Sequence, residues 1–381
     1  MKISAMVREW VRKSYMYLCY VTRPRKEKSV FFASFRGQYS DNPRAISEYL
    51  HQIAPNVKIV WMVKSKFKQY VPDYVITVPP TPRLAVKAQA RASVWVLNYT
   101  ERKHLGVYKG QDNFYIQTWH GDRGLKAIGY LTVDDNKNDL DGPDMSKCDL
   151  FVAGSDYGVK KAQQGLWYDG EMIVEGMPRN DKLVNINDFK DEAAEVRTRL
   201  GIGDGVKVLL YAPTFRDEER NQHCAIDIAS TIANLEANGE KWVCLVRSHS
   251  RSKGFAMGSE TAAYIDASAY PDMADLLLIA DLLITDYSSC AGDFLLTGKP
   301  LVLAHFDRDH YETQERTLWV NPEEAGYLVA KNQDDLNQIL SHLYSYDHQA
   351  IADNINRFYG TKETGHSSEA VVRRILERLR D

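Results

Sequence analysis

Short apolar runs alternate with amphipathic stretches along most of this chain, and polar turns rich in glycine, asparagine and serine separate them. In the first half, residues 29–35, 57–63, 73–78, 93–98, 114–117, 150–153 and 172–175 read as strands. In the second half the same reading falls on 206–211, 242–246, 265–266, 282–284 and 299–303. Most of these runs are apolar at successive positions, not alternate ones, as strands covered on both faces are. Between them, 44–53, 273–280, 290–298 and 369–379 show helical spacing, the last with Val371, Val372, Ile375 and Leu379 on one face suited to docking on a domain. Strands alternating with helices predict an α/β fold with doubly wound parallel sheets. At 381 residues the chain exceeds what one core usually supports, so two domains are expected, with the Asn- and Asp-rich stretch 184–195 as linker.

Ligands of such sheets lie beyond the carboxyl ends of the strands, so the residues there carry the functional reading. The run 282–284 breaks into Thr285-Asp286-Tyr287-Ser288-Ser289, and a short helix follows that Gly298 closes. Hydroxyls and backbone N–H groups at a helix start suit an anion, most often phosphate. A serine that only caps the helix meets the same pattern. Two other strand ends of this half carry Thr214 with Arg216, and Arg247 with His249, so cationic and hydroxylic groups converge on one sheet edge as a site for a phosphorylated ligand would require. In the first half, the strand 114–117 runs into Thr118-Trp119-His120-Gly121-Asp122-Arg123-Gly124-Leu125-Lys126. An imidazole at a strand end is placed to act as a general base, although a histidine that only bonds a turn would look alike. No GxGxxG follows the first strand and no GxxxxGK[ST] occurs, so any phosphate is held in another way.

Charge changes the picture at the amino terminus. Residues 1–28 carry eight Lys/Arg against two Glu, a net of +6, which leaves the remainder at −9 within a total of −3. A basic head on an acidic body argues against nucleic-acid binding and for a local role. Within 1–22, Ile3, Met6, Val7, Trp10, Val11, Tyr15, Leu18 and Cys19 recur at three- and four-residue spacings, predicting a helix with an apolar face and a cationic one that lies in an anionic membrane interface. Arg12 and Lys13 interrupt it, so it does not span a bilayer, and it lacks the small-residue cleavage site of a secretory signal. The alternative is a helix packed on its own domain or a partner. Five cysteines without CxxC or CxxH spacing point to a reducing compartment and to no zinc site.

Six motifs in order, QTWHG at 117–121, GMPRND at 176–181, YAPTFRD at 211–217, RSH at 247–249, TDYSS with Asp293 at 285–293 and GHSSE at 365–369, resemble those of the CDP-glycerol glycerophosphotransferases that build teichoic-acid and related polyol-phosphate polymers. The resemblance runs from about residue 112 to the end. It implies a GT-B fold, with a Rossmann-like acceptor domain at 29–190 and a Rossmann-like CDP-donor domain at 191–381, whose last helix docks back, facing across a cleft; the basic head at 1–28 is read separately as a membrane-association segment. It further implies that His120 deprotonates the acceptor hydroxyl. His249 with Arg247 would steady the donor pyrophosphate, which Ser288 and Ser289 grip, with Thr214, Arg216 and Asp286 beside them. Gly121, Asp122, Lys126, Arg179 and Asp293 are carried as further cleft residues. Asp122-Arg123 stands where many members have Thr-Pro, and Ser250 replaces the usual proline after His249, which leaves room for a different acceptor or polyol.

In-line attack on the β-phosphorus needs one proton removed and fixed positive charge on the phosphates; Arg216, Arg247 and a helix dipole supply it without a required metal, while Mg²⁺ stays compatible. The expected partners are CDP-glycerol, a polyprenyl-diphosphate-linked saccharide and an anionic membrane surface, with the enzyme peripheral on the cytoplasmic face and a homo-oligomer left open. The rival readings are a ribitol-phosphate transferase using CDP-ribitol, a nucleotide-sugar glycosyltransferase of the same fold, and a non-catalytic scaffold of an assembly complex.

Overall fold

The structure is a computed structural model that describes residues 2–22, 28–99, 109–132, 145–214, 226–248 and 264–380. Its contacts divide the chain into two units. The first comprises Met1–His120, Asp134–Asp181 and Lys362–Asp381; the second comprises Gly121–Val133 and Lys182–Thr361.

The first unit is built on seven parallel strands: β1 Ser29–Ala33, β2 Lys58–Met62, β3 Ile76–Val78, β4 Val94–Leu97, β5 Phe114–Gln117, β6 Leu150–Ala153 and β7 Glu171–Val174. Their order is β3-β2-β1-β4-β5-β6-β7, and Phe31 of β1 stands opposite Val60 of β2 and Trp95 of β4. Alternate residues of one strand serve two different cores, as a period of two requires. Val30 and Phe32 join Trp61, Val96 and Ile116 in a layer completed by Val371, Val372 and Ile375 of the carboxyl-terminal helix Ser367–Arg380. Phe31 and Ala33 join Val60, Trp95 and Tyr115 in the layer on the other face. The run from 29 to 33 is apolar throughout because both of its faces are covered.

Helix α1, Lys2–Val21, belongs to that second layer. Met16 and Cys19 are buried against the sheet beside helix Pro82–Arg91, and burial of the Met16 side chain alone contributes about 1.5–3 kcal/mol. At 100° per residue, Val7, Trp10, Val11, Leu18 and Val21 fall on the opposite side of the helix. There they are 50–69 % exposed. One face of α1 is thus packed on its own unit, and a second apolar face is open. Among the described residues no helix is long and apolar enough to cross a membrane.

The second unit has six parallel strands: β8 Lys207–Ala212, β9 Trp242–Val246, β10 Tyr264–Asp266, β11 Leu282–Thr285, β12 Leu301–Ala304 and β13 Val329–Ala330, ordered β10-β9-β8-β11-β12-β13. Strand β13, two residues long, is too short to leave a pattern in the sequence. The core joins Leu209, Tyr211, Cys244, Ile284 and Val302 to Leu336 and Leu340 of helix Gln333–Ser341.

Residues 184–195 are not a linker: Ile186–Phe189 forms a 3₁₀ turn and Lys190–Arg199 a helix whose first turn carries Asp191 and Glu192. The chain changes unit at 181/182, not at 190/191, because Lys182 is fixed in the second unit by Asp275 at 2.8 Å and Glu192 at 2.6 Å. The return of the last helix to the first unit rests on carboxylates: Asp181 accepts from the N–H groups of Ser367 and Ser368 at its start, and Glu363 accepts from Met177 N and Asn180 Nδ2.

Candidate functional site

In the first unit, β1, β4 and β5 are neighbours, so the turns after their carboxyl ends lie side by side. His120 stands in the turn after β5, half-buried, its ring stacked on Trp119 at 4.8 Å and met edge-on by Phe35 at 5.2 Å. Its Nδ1 lies 2.7 Å from the carbonyl oxygen of Asn98, the residue after β4. A carbonyl can only accept, so Nδ1 carries the proton and the proton-accepting atom of the neutral ring is Nε2. The Asn98 side chain, fully buried, ties the neighbouring turn: its Oδ1 accepts from Phe35 N at 3.2 Å and its Nδ2 donates to Ser34 Oγ at 3.0 Å. Asn42, also fully buried, donates through Nδ2 to the carbonyls of Thr118 and Trp119 and accepts from Arg179 N at 3.1 Å.

The backbone around this histidine is strained. Phe35, Arg36, Asp41 and Trp119 have φ of 37°, 61°, 65° and 49°. For side-chain-bearing residues the left-handed region costs about 1–2 kcal/mol each, and such conformations persist where surrounding bonds enforce them. Arg179 is part of that enforcement, since its guanidinium lies 3.3 Å from the Asp41 carboxylate and both are buried. Its charge is spent inside the unit, on Asp41.

In the second unit, β9, β8 and β11 are adjacent, which brings Arg247, Thr214 and the 285–289 turn to one edge as their strand-end positions predicted. Asp286 is buried and organises that edge, accepting from Thr214 N at 2.8 Å and Tyr287 N at 2.6 Å. It is thus a carboxylate that holds two strand ends together. Ser288 and Ser289 are half-buried; the Ser288 hydroxyl accepts from Cys290 N at 3.4 Å, and Ser289 makes no side-chain cap bond. The helix they precede, Cys290–Phe294, has only five residues before a 3₁₀ turn ends at Gly298 with φ of 65°. Its dipole is correspondingly small, so phosphate binding here would rest on hydroxyls, N–H groups and side-chain cations. Arg247 donates to the Tyr270 carbonyl; burial pushes its guanidinium down from the ordinary value, and Asp272 opposes that shift. Arg216 and His249 lie outside the described residues.

Gly121, Asp122, Lys126 and Asp293 all fall in the second unit. Arg123 is fully buried, with Nη2 3.5 Å from Asp293, Nε 4.0 Å from Asp122 and Nη1 3.5 Å from the Thr361 hydroxyl. A Cβ on Gly292 would stand 2.6 Å from Arg123 Cβ, so helix and segment meet there at backbone distance. Lys126 pairs antiparallel with Leu318. The Asp122-Arg123 departure therefore serves an ion network that fastens residues 121–128 to helix Cys290–Phe294.

Several participants left no readable signal. Asn98 stands in the turn after β4, and Asp41 and Asn42 open the helix Asp41–Ile53, where the sequence shows only turn chemistry. Tyr287, fully buried, is stacked between Tyr311 at 3.7 Å and His305 at 4.4 Å and donates to Asp307. His305 follows the apolar run of β12, and its Nε2 lies 3.2 Å from the Asp286 carbonyl.

Comparison with known proteins gives the following. The family model described as CDP-Glycerol:Poly(glycerophosphate) glycerophosphotransferase matches residues 15–377. The teichoic acid poly(glycerol phosphate) polymerase of Bacillus subtilis (strain 168) is 30% identical over 401 residues, covering 99% of this chain and 52% of that protein. The chain thus spans about half the length of that curated relative. The teichoic acid glycerol-phosphate transferase of Staphylococcus aureus (strain NCTC 8325 / PS 47) is 30% identical over 361 residues, covering 89% of this chain and 91% of that one. A solved structure of the wall teichoic acid polymerase TagF aligns with a TM-score of 0.84 at 28% identity, over 100% of this chain and 97% of that chain.

Proposed function

The chain belongs to the CDP-glycerol:poly(glycerophosphate) glycerophosphotransferase family, and from that premise we propose that it transfers glycerol phosphate from CDP-glycerol to a hydroxyl of a lipid-linked acceptor, with release of CMP, as a GT-B-type enzyme of teichoic-acid synthesis. The observation that carries this reading is the tautomer of His120: with Nδ1 donating to the Asn98 carbonyl, Nε2 is left to receive a proton. In the reaction the acceptor oxygen attacks the β-phosphorus of the donor while its proton passes to Nε2. A new P–O bond forms, the P–O bond to CMP breaks, and the developing phosphate charge calls for fixed cations and N–H donors. Thr214, Arg247, Ser288 and Ser289 are assigned to the donor phosphates, with Arg216 and His249, and Asp286 to the shape of that edge.

Mass spectrometry of the product formed from CDP-glycerol, or in parallel from CDP-ribitol, and a defined lipid-linked disaccharide tests the assignment. Addition of one or more glycerol phosphates is expected. Exclusive use of CDP-ribitol would replace the donor, and transfer of a sugar without phosphorus would overturn the reaction class.

We place the enzyme at the cytoplasmic face of the membrane, held by the open face of α1, where Val7, Trp10, Val11, Leu18 and Val21 can enter the acyl boundary while Lys and Arg of the head meet anionic lipid. Trp10→Glu with Leu18→Glu is expected to abolish flotation with anionic vesicles, since neither residue packs on the unit. Undiminished flotation would contradict the attachment.

A further inference from the structure

Asn42, in the first turn of helix Asp41–Ile53, spends its side chain outside that helix. Near a helix start an asparagine amide ordinarily bonds backbone of its own first turn. Here its Oδ1 accepts from the N–H of Arg179, 137 residues away, and its Nδ2 donates to the carbonyls of Thr118 and Trp119, 76 and 77 residues away. One donor partner and two acceptor partners fix which end of the amide is oxygen. The side chain is fully buried, so a bond lost here is not replaced by water.

What Asn42 holds is the strained step before His120. Trp119 keeps a φ of 49°, a conformation that persists in a side-chain-bearing residue where surrounding bonds enforce it. The Trp119 N–H is taken by Gln117 Oε1 at 2.8 Å. The Thr118 hydroxyl lies 3.3 Å from both the Leu97 and the Trp119 carbonyls, so its single proton serves one of them at a time. The Asn42 amide reaches both carbonyls of the step, at 3.4 Å and 3.2 Å. In this conformation the indole lies on the His120 ring, centroids 4.8 Å apart and planes 28° from parallel. The segment that supplies Arg179 N is itself tied down: Met177 and Asn180 bond Glu363, and Asp181 bonds the start of the last helix. A chain of bonds thus runs from the carboxyl-terminal helix through Asn42 to the residue stacked on the base.

We propose that Asn42 is a positioning residue for the transfer, locking the Thr118–Trp119 step so that the indole of Trp119 stays against the His120 ring. When Nε2 takes the acceptor's proton, the Nδ1 proton remains on the Asn98 carbonyl and the ring becomes an imidazolium. The indole face beside it then stabilises the new charge. The role rests on the reading of His120 as the acceptor's base, and it gives residues 176–181 a part in the reaction without contact to substrate.

The test compares Asn42→Ala and Asn42→Asp with Trp119→Leu and Trp119→Phe in the full chain. Asn42→Asp keeps an acceptor for Arg179 N but has no donor for the two carbonyls. Both Asn42 variants are expected to lose about 10–100-fold in kcat with KM for CDP-glycerol unchanged. Trp119→Leu is expected to lose about 3–30-fold in kcat, and Trp119→Phe to recover most of it because a ring face is restored. In NMR spectra of histidine-labelled protein, the His120 ring signal, identified by its loss in His120→Ala, is expected to move in Asn42→Asp as it does in Trp119→Leu. A merely structural asparagine would lower the melting temperature and leave kcat and that signal in place. Wild-type kcat in Asn42→Asp, an unmoved His120 signal, or a Trp119→Leu enzyme as active as Trp119→Phe overturns the role. Trp119 is half-buried, so its variants test the stack even if the Asn42 variants fold poorly. Wild-type turnover in His120→Ala overturns the reading of the base and the role with it, whereas turnover lost there but kept in Asn42→Asp overturns the positioning alone.

Discussion

His120 owes its chemistry to one carbonyl. Because Asn98 O takes the Nδ1 proton at 2.7 Å, the ring presents Nε2, and the aromatic faces of Trp119 and Phe35 restrict its rotation. Replacing His120 by alanine is expected to lower turnover by about 10²–10⁴-fold with CDP-glycerol binding retained, measured by steady-state kinetics and titration calorimetry. Asn98→Ala removes two side-chain bonds that position the turn while leaving its carbonyl in the chain. A fall in kcat of roughly 10–100-fold is expected, with KM for the donor unchanged and the acid limb of the pH–rate profile displaced. A variant that only melts earlier, with an unmoved pH profile, would reduce Asn98 to a structural role. His305 illustrates the opposite case, an imidazole kept neutral. Burial lowers its pKa below 6.5, and among the described residues its Nδ1 has no hydrogen-bond partner, so protonation would place an unsatisfied N–H and a charge in the interior. Since the folded value is the lower one, the contribution to stability is complete above about pH 6.5 and is lost as pH falls below it. The melting temperature should drop between pH 7.5 and 5.5 by more in the wild type than in His305→Gln.

Elements explain which of these residues could be read in advance. His120, Arg247 and the 285–289 hydroxyls stand directly after apolar runs that can only be strands, so their place at a sheet edge followed from the pattern. Asn98 also follows a strand, yet an asparagine there signals a turn as readily as a clamp, and only the adjacency of β1, β4 and β5 gives it two partners. Helix Cys290–Phe294 shows a similar gap. Its start was legible, but its other face meets Arg123, more than 160 residues earlier in the sequence. Gly292→Ala would push a methyl to 2.6 Å from Arg123 Cβ and 2.8 Å from its carbonyl, both on backbone that cannot swing aside. A loss of about 1–3 kcal/mol is expected in chemical denaturation; an unchanged midpoint would mean that the segment yields freely. The same logic applies to α1, whose periodicity showed an apolar face but not that there are two, one for the sheet and one outward.

At the scale of the whole molecule, the first unit is closed by the last residues of the chain. Val371, Val372, Ile375 and Leu379 are buried in its core, and at about 1.5–3 kcal/mol each their burial is comparable to the whole stability of an ordinary domain. A chain ending at Thr361 is therefore expected to lose the cooperative unfolding of the first unit in calorimetry, while the second unit, which ends at Thr361, retains its own transition. Two full transitions in the shortened chain would show that the helix is dispensable. The sequence by itself determined the strand and helix alternation, the parallel sheets, the strand-end chemistry and the family resemblance, because burial on both faces and residue type at a strand end are local properties of the chain. Only the tertiary structure decided which tautomer His120 adopts, that Arg179, Asp122 and Asp293 are tied into buried ion networks, that residues 121–133 belong with the second unit, and that Lys64 after β2 bonds the turn after β1. Those facts depend on strand order and on contacts between residues far apart in the chain, and a linear pattern does not encode which distant groups become neighbours.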